Sequence, residues 1–297
     1  VTHIITSKIE HHAVLHTVEQ LAFDYKIKVS YVAVLSDGSL DYNHLENLLE
    51  STEKTLVTLM HINNEIGTIL NLQKVADLCN SKGALFHSDS VQSVGHYHLD
   101  LKTTPIDFLA ASAHKFHGPK GIGFVYIRKN SGLKPLIHGG MQERGVRAGT
   151  ESIHDIVGLD VALALSYQNL EAEMAQVNAL KSYFIEQLKT SIEGVKFNGS
   201  CSDFDKSTYT LVNVCLPVSE ANAPMFLFQL DLKGIACSKG SACQSGSAKG
   251  SHVLSEILSE EDLKKPSIRF SFSIYNTKEE LDTVVEILKA LVNSTKS

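Results

Sequence analysis

The chain has 297 residues, 43% of them apolar and 20% charged, with a formal net charge of −6. That length supports one large domain or two smaller ones, and an acidic balance without a block of Lys or Arg argues against non-specific nucleic-acid or anionic-membrane binding. No apolar run approaches the roughly 20 residues that a helical membrane span requires. The five cysteines (79, 201, 215, 237 and 243) are scattered and form no CxxC pair. This spacing argues against a disulfide framework or a zinc ribbon and for a reducing compartment. The chain opens at Val1 in a strand-like run without a signal-peptide pattern, which reads as a fragment or a processed product.

Taken in order, "THIITS" and "KVSYVAV" read as strands. "DYNHLENLLEST" reads as a helix capped by Asp41, with Leu45, Leu48 and Leu49 on one face. "TLVTLMHI" is a continuous apolar run, as a strand covered on both faces would be. Asn71 caps the next predicted helix, in which Leu72, Val75, Ala76 and Cys79 share a face, and Gly83 ends it. "ALFHSD", "IDFLAAS" and "GFVYIRK" follow as strands. From about residue 153 a helical region runs too long for a single globular helix and is expected to bend or break. Beyond it come a strand-like "STYTLVNVCL", a helix through "APMFLFQLDLKG" and a strand-like "SIRFSFSIYN". A last helix follows a Thr277…Glu280 capping box. Strands alternating with helices imply a mostly parallel sheet flanked by helices. The expected fold is therefore α/β with a smaller C-terminal α+β domain, divided as residues 1–158 and 159–297.

Ligands of open parallel sheets bind beyond the carboxyl ends of the strands, and three polar clusters fall there. "HINNEIG" brings Asn63, Asn64 and Glu65. "HSDSVQSVG" brings His87, Asp89 and Gln92. "SAHKFHGPKG" brings Ser112, His114 and Lys115. A lysine forms Schiff bases with aldehydes, and pyridoxal phosphate needs an acidic partner for its ring nitrogen; Asp89 suits that part. Each residue also has an ordinary reading. Lys115 alone would be a solvated turn lysine, and Asp89 alone a turn or cap residue. His96 and His98 have metal-like spacing but lack a third ligand nearby, so they read as a solvated strand face. Cys79 and Cys237 read as structural, and Glu65 has no evident role.

"EHHAVL", "HINNEIG", "HSDSVQSVG", "SAHKFHGPKGIG", "HGGMQERGVRAGTES" and "SKGSACQSGS…SHVL" occur in this order over nearly the whole chain. Together they resemble the cysteine desulfurases of the NifS/IscS type, pyridoxal 5′-phosphate enzymes of fold type I in the class V aminotransferase group. The resemblance implies that Lys115 carries the cofactor as a Schiff base and later moves the Cα proton of the substrate. It implies that His11 stacks on the ring, Asp89 pairs with the ring nitrogen and Gln92 meets the ring hydroxyl. Ser112 and His114 match phosphate-binding positions, and Thr150 matches a residue that reaches the phosphate of the other subunit in a homodimer. Asn64 and Arg269 match the groups that hold the substrate carboxylate. Cys243, in a glycine- and serine-rich loop at about 236–252, matches the thiolate that takes sulfur from L-cysteine as a persulfide and leaves L-alanine.

The sulfur is then expected to pass to an acceptor such as an iron–sulfur scaffold protein, in the cytoplasm or an organelle matrix. No metal, nucleic acid or membrane is expected to take part. A related selenocysteine or cystine lyase, a class V aminotransferase and a catalytically silent fragment are the alternatives. The family also carries, upstream of the first matched motif, a glycine- and threonine-containing turn that binds the phosphate; this chain is expected to lack it.

Overall fold

A computed structural model describes residues 1–240 and 250–295. The chain enters as β1 (His3–Ser7), every residue of which is buried. His11 then caps α1 (His12–Tyr25), its side chain accepting the Ala13 N–H. Sequence periodicity misses this helix because only Leu15 and Val18 are buried while Phe23 and Tyr25 face solvent. The strand β2 (Lys28–Val32) and the helix α2 (Tyr42–Leu48) follow, and Asp41 caps α2 as expected, accepting the Asn43 and His44 N–H groups. Next come β3 (Thr55–Thr58), α3 (Leu72–Ser81), β4 (Leu85–Asp89), β5 (Phe108–Ser112) and β6 (Gly123–Ile127). The cap of α3 is Asn71, which accepts the Lys74 N–H, and its buried face is Leu72, Val75, Ala76 and Cys79.

Among the described residues these six strands form one sheet in the order β2-β1-β3-β4-β5-β6. The first five are parallel and β6 returns antiparallel to β5, with Ser112 opposite Gly123. A side chain at 123 would run into the Ala111 carbonyl, so the tight return into β6 requires glycine. Ile5, Val57, Phe86 and Leu109 from the strands pack with Leu45, Val75 and Phe116 into one core. Each such large side chain contributes about 1.5–3 kcal/mol on burial.

The long helical region does break. α4 (Ile153–Gln168) ends at Asn169, and α5 (Leu170–Ser191) starts from that same residue. A second sheet then forms from β7 (Lys196–Phe197), β8 (Leu211–Cys215) and, after α6 (Ala223–Leu232), α7 (His252–Ile257) and α8 (Glu260–Leu263), the strand β9 (Ser267–Ser271). The chain closes with α9 (Lys278–Ser294), begun by the reciprocal Thr277–Glu280 capping box. Val212, Val214, Ile268 and Phe270 pack with Phe184 of α5 and with Leu281, Val285 and Leu288 of α9 in a second core. Leu159 and Leu163 of α4, and Val253 and Leu254 of α7, pack instead with the first core.

Polar groups join the two sheets along residues 64–69. The buried Asn213 amide donates to the Glu65 carbonyl at 3.0 Å, and Thr208 N–H donates to the Gly67 carbonyl at 2.8 Å. Ile69 N–H reaches the Lys206 carbonyl at 2.9 Å. Buried backbone groups must find partners, so this seam fixes the second sheet over the loop that leaves β3.

Candidate active site

In the strand order, β1 lies between β2 and β3, so successive connections leave it toward opposite edges. This is the switch point at which an open parallel sheet holds a crevice beyond its carboxyl ends. Glu10 and His11 follow β1, Asn63, Asn64 and Glu65 follow β3, Asp89 ends β4, and Ser112, His114 and Lys115 follow or end β5. The three clusters expected at strand ends therefore share one edge of one sheet.

A cavity of about 230 Å³ opens there, and Asn64, Gln92, Lys115 and Arg269 all line it. Arg269 arrives from β9, and its Nη1 donates to the Asn64 carbonyl at 2.6 Å. That bond sets a guanidinium fork, able to hold a carboxylate through two parallel hydrogen bonds, beside the loop after β3. Lys115 stands in a single 3-10 turn, Ala113–Lys115, immediately beyond β5. The Phe116 and Gly118 N–H groups return to the Ala113 carbonyl at 3.0 and 2.8 Å. The glycine- and proline-rich sequence thus folds the chain back beneath the lysine. A larger hollow of about 640 Å³ over α2 and α3 brings none of these residues together.

The remaining expected residues are placed less centrally. Asp89 is half-buried, its carboxylate accepts the Val91 N–H at 3.1 Å, and it does not line the cavity. His11 serves as the α1 cap through Nδ1, 3.2 Å from Ala13 N. Ser112 is half-buried at the start of the Lys115 turn, and His114 and Thr150 are exposed. Cys243 lies outside the described residues. Cys79 is buried in the first core, and burial pushes the Cys237 thiol up to about 11, which suits structural roles for both.

His96 overturns its sequence reading as part of a solvated strand face. It sits in the turns after β4, lines the cavity and bonds to the Lys115 carbonyl. Two further groups were missed. Glu10 is fully buried near Asp89, and burial raises its carboxyl to about 8. Tyr209, ahead of β8, reaches His96 through its hydroxyl. Glu10 is bonded by Ser7 three residues earlier but buried by distant chain, and Tyr209 meets His96 only after the chain has crossed itself. His61, also buried after β3, is pulled down to about 4 by burial and stays neutral.

Lys115 and Arg269 thus line one cavity beyond the carboxyl ends of a mostly parallel sheet, with Asp89 ending the strand next to β5. The chain belongs to the aminotransferase class-V family, whose model matches residues 1–284. Its fold is fold type I, a mostly parallel sheet flanked by helices, and its curated relatives include cysteine desulfurases. The chain is 38% identical to cysteine desulfurase IscS of Dictyoglomus turgidum, over 99% of this chain and 73% of that protein. It is 40% identical to cysteine desulfurase IscS of Clostridium botulinum, over 98% of this chain and 72% of that protein. Among solved structures it is similar to a NifS-like protein at TM-score 0.86 and 32% identity, covering 98% of this chain and 75% of the other. SspA in complex with cysteine is similar at TM-score 0.76 and 32% identity, covering 93% and 75%. Among the described residues no helix is long and apolar enough to cross a membrane.

Proposed function

We propose that this chain is a pyridoxal-5′-phosphate-dependent cysteine desulfurase that converts L-cysteine to L-alanine and passes the sulfur onward through Cys243. The observation that carries this reading is the convergence of Asn64, Gln92, Lys115 and Arg269 on one cavity beyond the carboxyl ends of β3, β4 and β5. The donor set fits the cofactor: a primary amine follows β5, a carboxylate ends the neighbouring β4, and an imidazole opens α1. When bound, the cofactor supplies an aldehyde for amines and a ring that withdraws electrons from the substrate carbon.

In this reading the residues divide the work. Lys115 would hold the cofactor through its ε-amine and would move the proton at the substrate Cα. Asp89 would pair with the ring nitrogen, His11 would cover the ring and Gln92 would hydrogen-bond the ring hydroxyl. Ser112 and His114 would hold the phosphate, joined by Thr150 of a second copy in a homodimer. Arg269, aided by Asn64, orients the substrate by its carboxylate. The Cys243 thiolate would attack the substrate sulfur; the electron pair of the broken carbon–sulfur bond would stay with the substrate carbon skeleton, which takes up a proton and leaves as L-alanine, while the sulfur remains on Cys243 as a persulfide. Residues 1–158 then bear most of the cofactor contacts, and 159–297 bear Arg269 and the cysteine loop. The persulfide would be handed to a sulfur acceptor such as an iron–sulfur scaffold, in the cytoplasm or an organelle matrix.

The test is to add pyridoxal 5′-phosphate, L-cysteine and a dithiol reductant that releases the persulfide sulfur as sulfide, and to measure alanine and sulfide. Yellow protein releasing both in equal amounts supports the reading. Protein that stays colourless with the cofactor present, or that yields pyruvate or a transaminated product instead, refutes it.

A further inference from the structure

His96 joins two parts of the molecule that the desulfurase reading uses separately. One ring nitrogen, Nε2, lies 3.0 Å from the Lys115 carbonyl, and the other, Nδ1, lies 3.2 Å from the Tyr209 hydroxyl. A carbonyl oxygen only accepts, so Nε2 must carry the hydrogen. In the neutral ring Nδ1 is then the acceptor, and the Tyr209 hydroxyl donates to it. The same hydroxyl lies 3.3 Å from the His96 carbonyl, a second acceptor on the same residue.

Tyr209 is itself held. It is 5% exposed and belongs to the second core, and its ring lies 5.6 Å from that of Tyr97. Its backbone N–H points to the Tyr97 hydroxyl at 3.4 Å. The imidazole is thus braced on the second core and grips the main chain of the lysine that ends the first sheet's turn. Burial lowers the pKa of His96, with His117 acting in the same direction and the Lys115 carbonyl and Glu173 opposing. These effects favour the neutral ring that the two bonds describe.

We infer that His96 is a positioning residue for Lys115. It fixes the backbone from which the ε-amine reaches cofactor and substrate, and sets that backbone against the part of the chain that carries Arg269. The inference rests on the desulfurase reading for its consequence in turnover. It has a structural consequence of its own: the turn at 113–118 is held in the cofactor-free protein as well.

Two substitutions separate the bonds. In His96→Gln the side-chain amide extends to the place of Nε2 and can still donate to the Lys115 carbonyl. In His96→Asn the shorter amide reaches only the place of Nδ1, so the Tyr209 side survives and the Lys115 side is lost. Two readouts are needed: amide hydrogen exchange of residues 113–118 without cofactor, and trapping of pyridoxal 5′-phosphate on Lys115 by borohydride. Steady-state desulfuration completes the set. For His96→Asn, kcat and the trapping rate should fall about tenfold, the equivalent of one ordinary hydrogen bond at about 1.4 kcal/mol. The KM for cysteine should stay within about twofold, because the carboxylate fork is untouched. Exchange at 113–118 should rise by about the same tenfold factor. His96→Gln should stay within about threefold of wild type in every readout.

Equal behaviour of His96→Asn and wild type overturns the inference. So does a His96→Gln variant as impaired as His96→Asn. A wild-type chain that traps no cofactor on Lys115 overturns the desulfurase reading instead, while the exchange data still decide whether His96 holds the turn.

Discussion

Replacing Glu10 by Gln should flatten the pH dependence of stability, so that between pH 5 and 7.5 the variant loses about 3 kcal/mol less than the wild type. Glu10 is 1% exposed; Ser7 Oγ donates to its Oε1 at 2.8 Å, and Oε2 has no hydrogen-bond partner among the described residues. Burial raises the carboxyl from 4.5 to about 8, against the Met60 and Ser7 hydrogen bonds and with some help from the charge of Asp89. The sign follows from proton counting. Above pH 4.5 the unfolded chain releases this proton, while the folded chain keeps it until about pH 8. Folding therefore takes up a proton in that window, and stability falls as pH rises. At about 1.4 kcal/mol per pH unit, the loss between pH 5 and 7.5 is about 3 kcal/mol, as an order of magnitude. Gln keeps the acceptor for Ser7 and cannot ionise. Its buried amide adds a cost of about 1–3 kcal/mol at every pH, so the informative quantity is the change with pH. Urea unfolding of both proteins at pH 5 and 7.5, without added cofactor, measures it, since other groups titrate in both and cancel. If the two stability curves run parallel between those pH values, Glu10 does not carry a buried proton and the argument fails.

Cys243→Ala should abolish sulfide release from cysteine while the protein stays yellow, and Lys115→Ala should remove the borohydride-stable attachment of the cofactor; full activity in the first variant would show that the nucleophile is misassigned. Arg269→Lys keeps a positive charge but loses both the fork and the bond from Nη1 to the Asn64 carbonyl. Its KM for cysteine should rise by about tenfold or more, and an unchanged KM would remove Arg269 from substrate binding. Thr277→Ala breaks the reciprocal capping box of α9. The expected loss is about 1 kcal/mol of unfolding free energy, visible as a lower urea midpoint with an unchanged slope. A midpoint equal to wild type would mean that Glu280 alone sustains the cap.

Much of the local structure follows from neighbouring residues. Asn71 and Thr277 lie where a side-chain oxygen meets the first free N–H groups of a helix, so α3 and α9 begin where the sequence places them. The break between α4 and α5 follows from the excessive length of the apolar pattern, although the pattern does not select Asn169. The polar clusters after apolar runs mark the ends of β3, β4 and β5 because a buried strand must return its chain to polar surroundings. By contrast, α1 escapes notice because its outer face keeps Phe23 and Tyr25 exposed, which blurs the period.

Sequence alone therefore determined the starts of α2, α3 and α9, the polar ends of β3, β4 and β5 and the ordered set of motifs that marks the family. Only the tertiary structure decided that β1 lies between β2 and β3, and that the cavity opens among the loops after β3, β4 and β5 and the second sheet. It alone brought Arg269 onto the carbonyl of Asn64, 205 positions away, and Tyr209 onto His96, 113 positions away. Local periodicity records which face of an element is buried. It does not record what that face is buried against, because that depends on pairings between strands and on polar groups that find partners only after the chain has crossed itself.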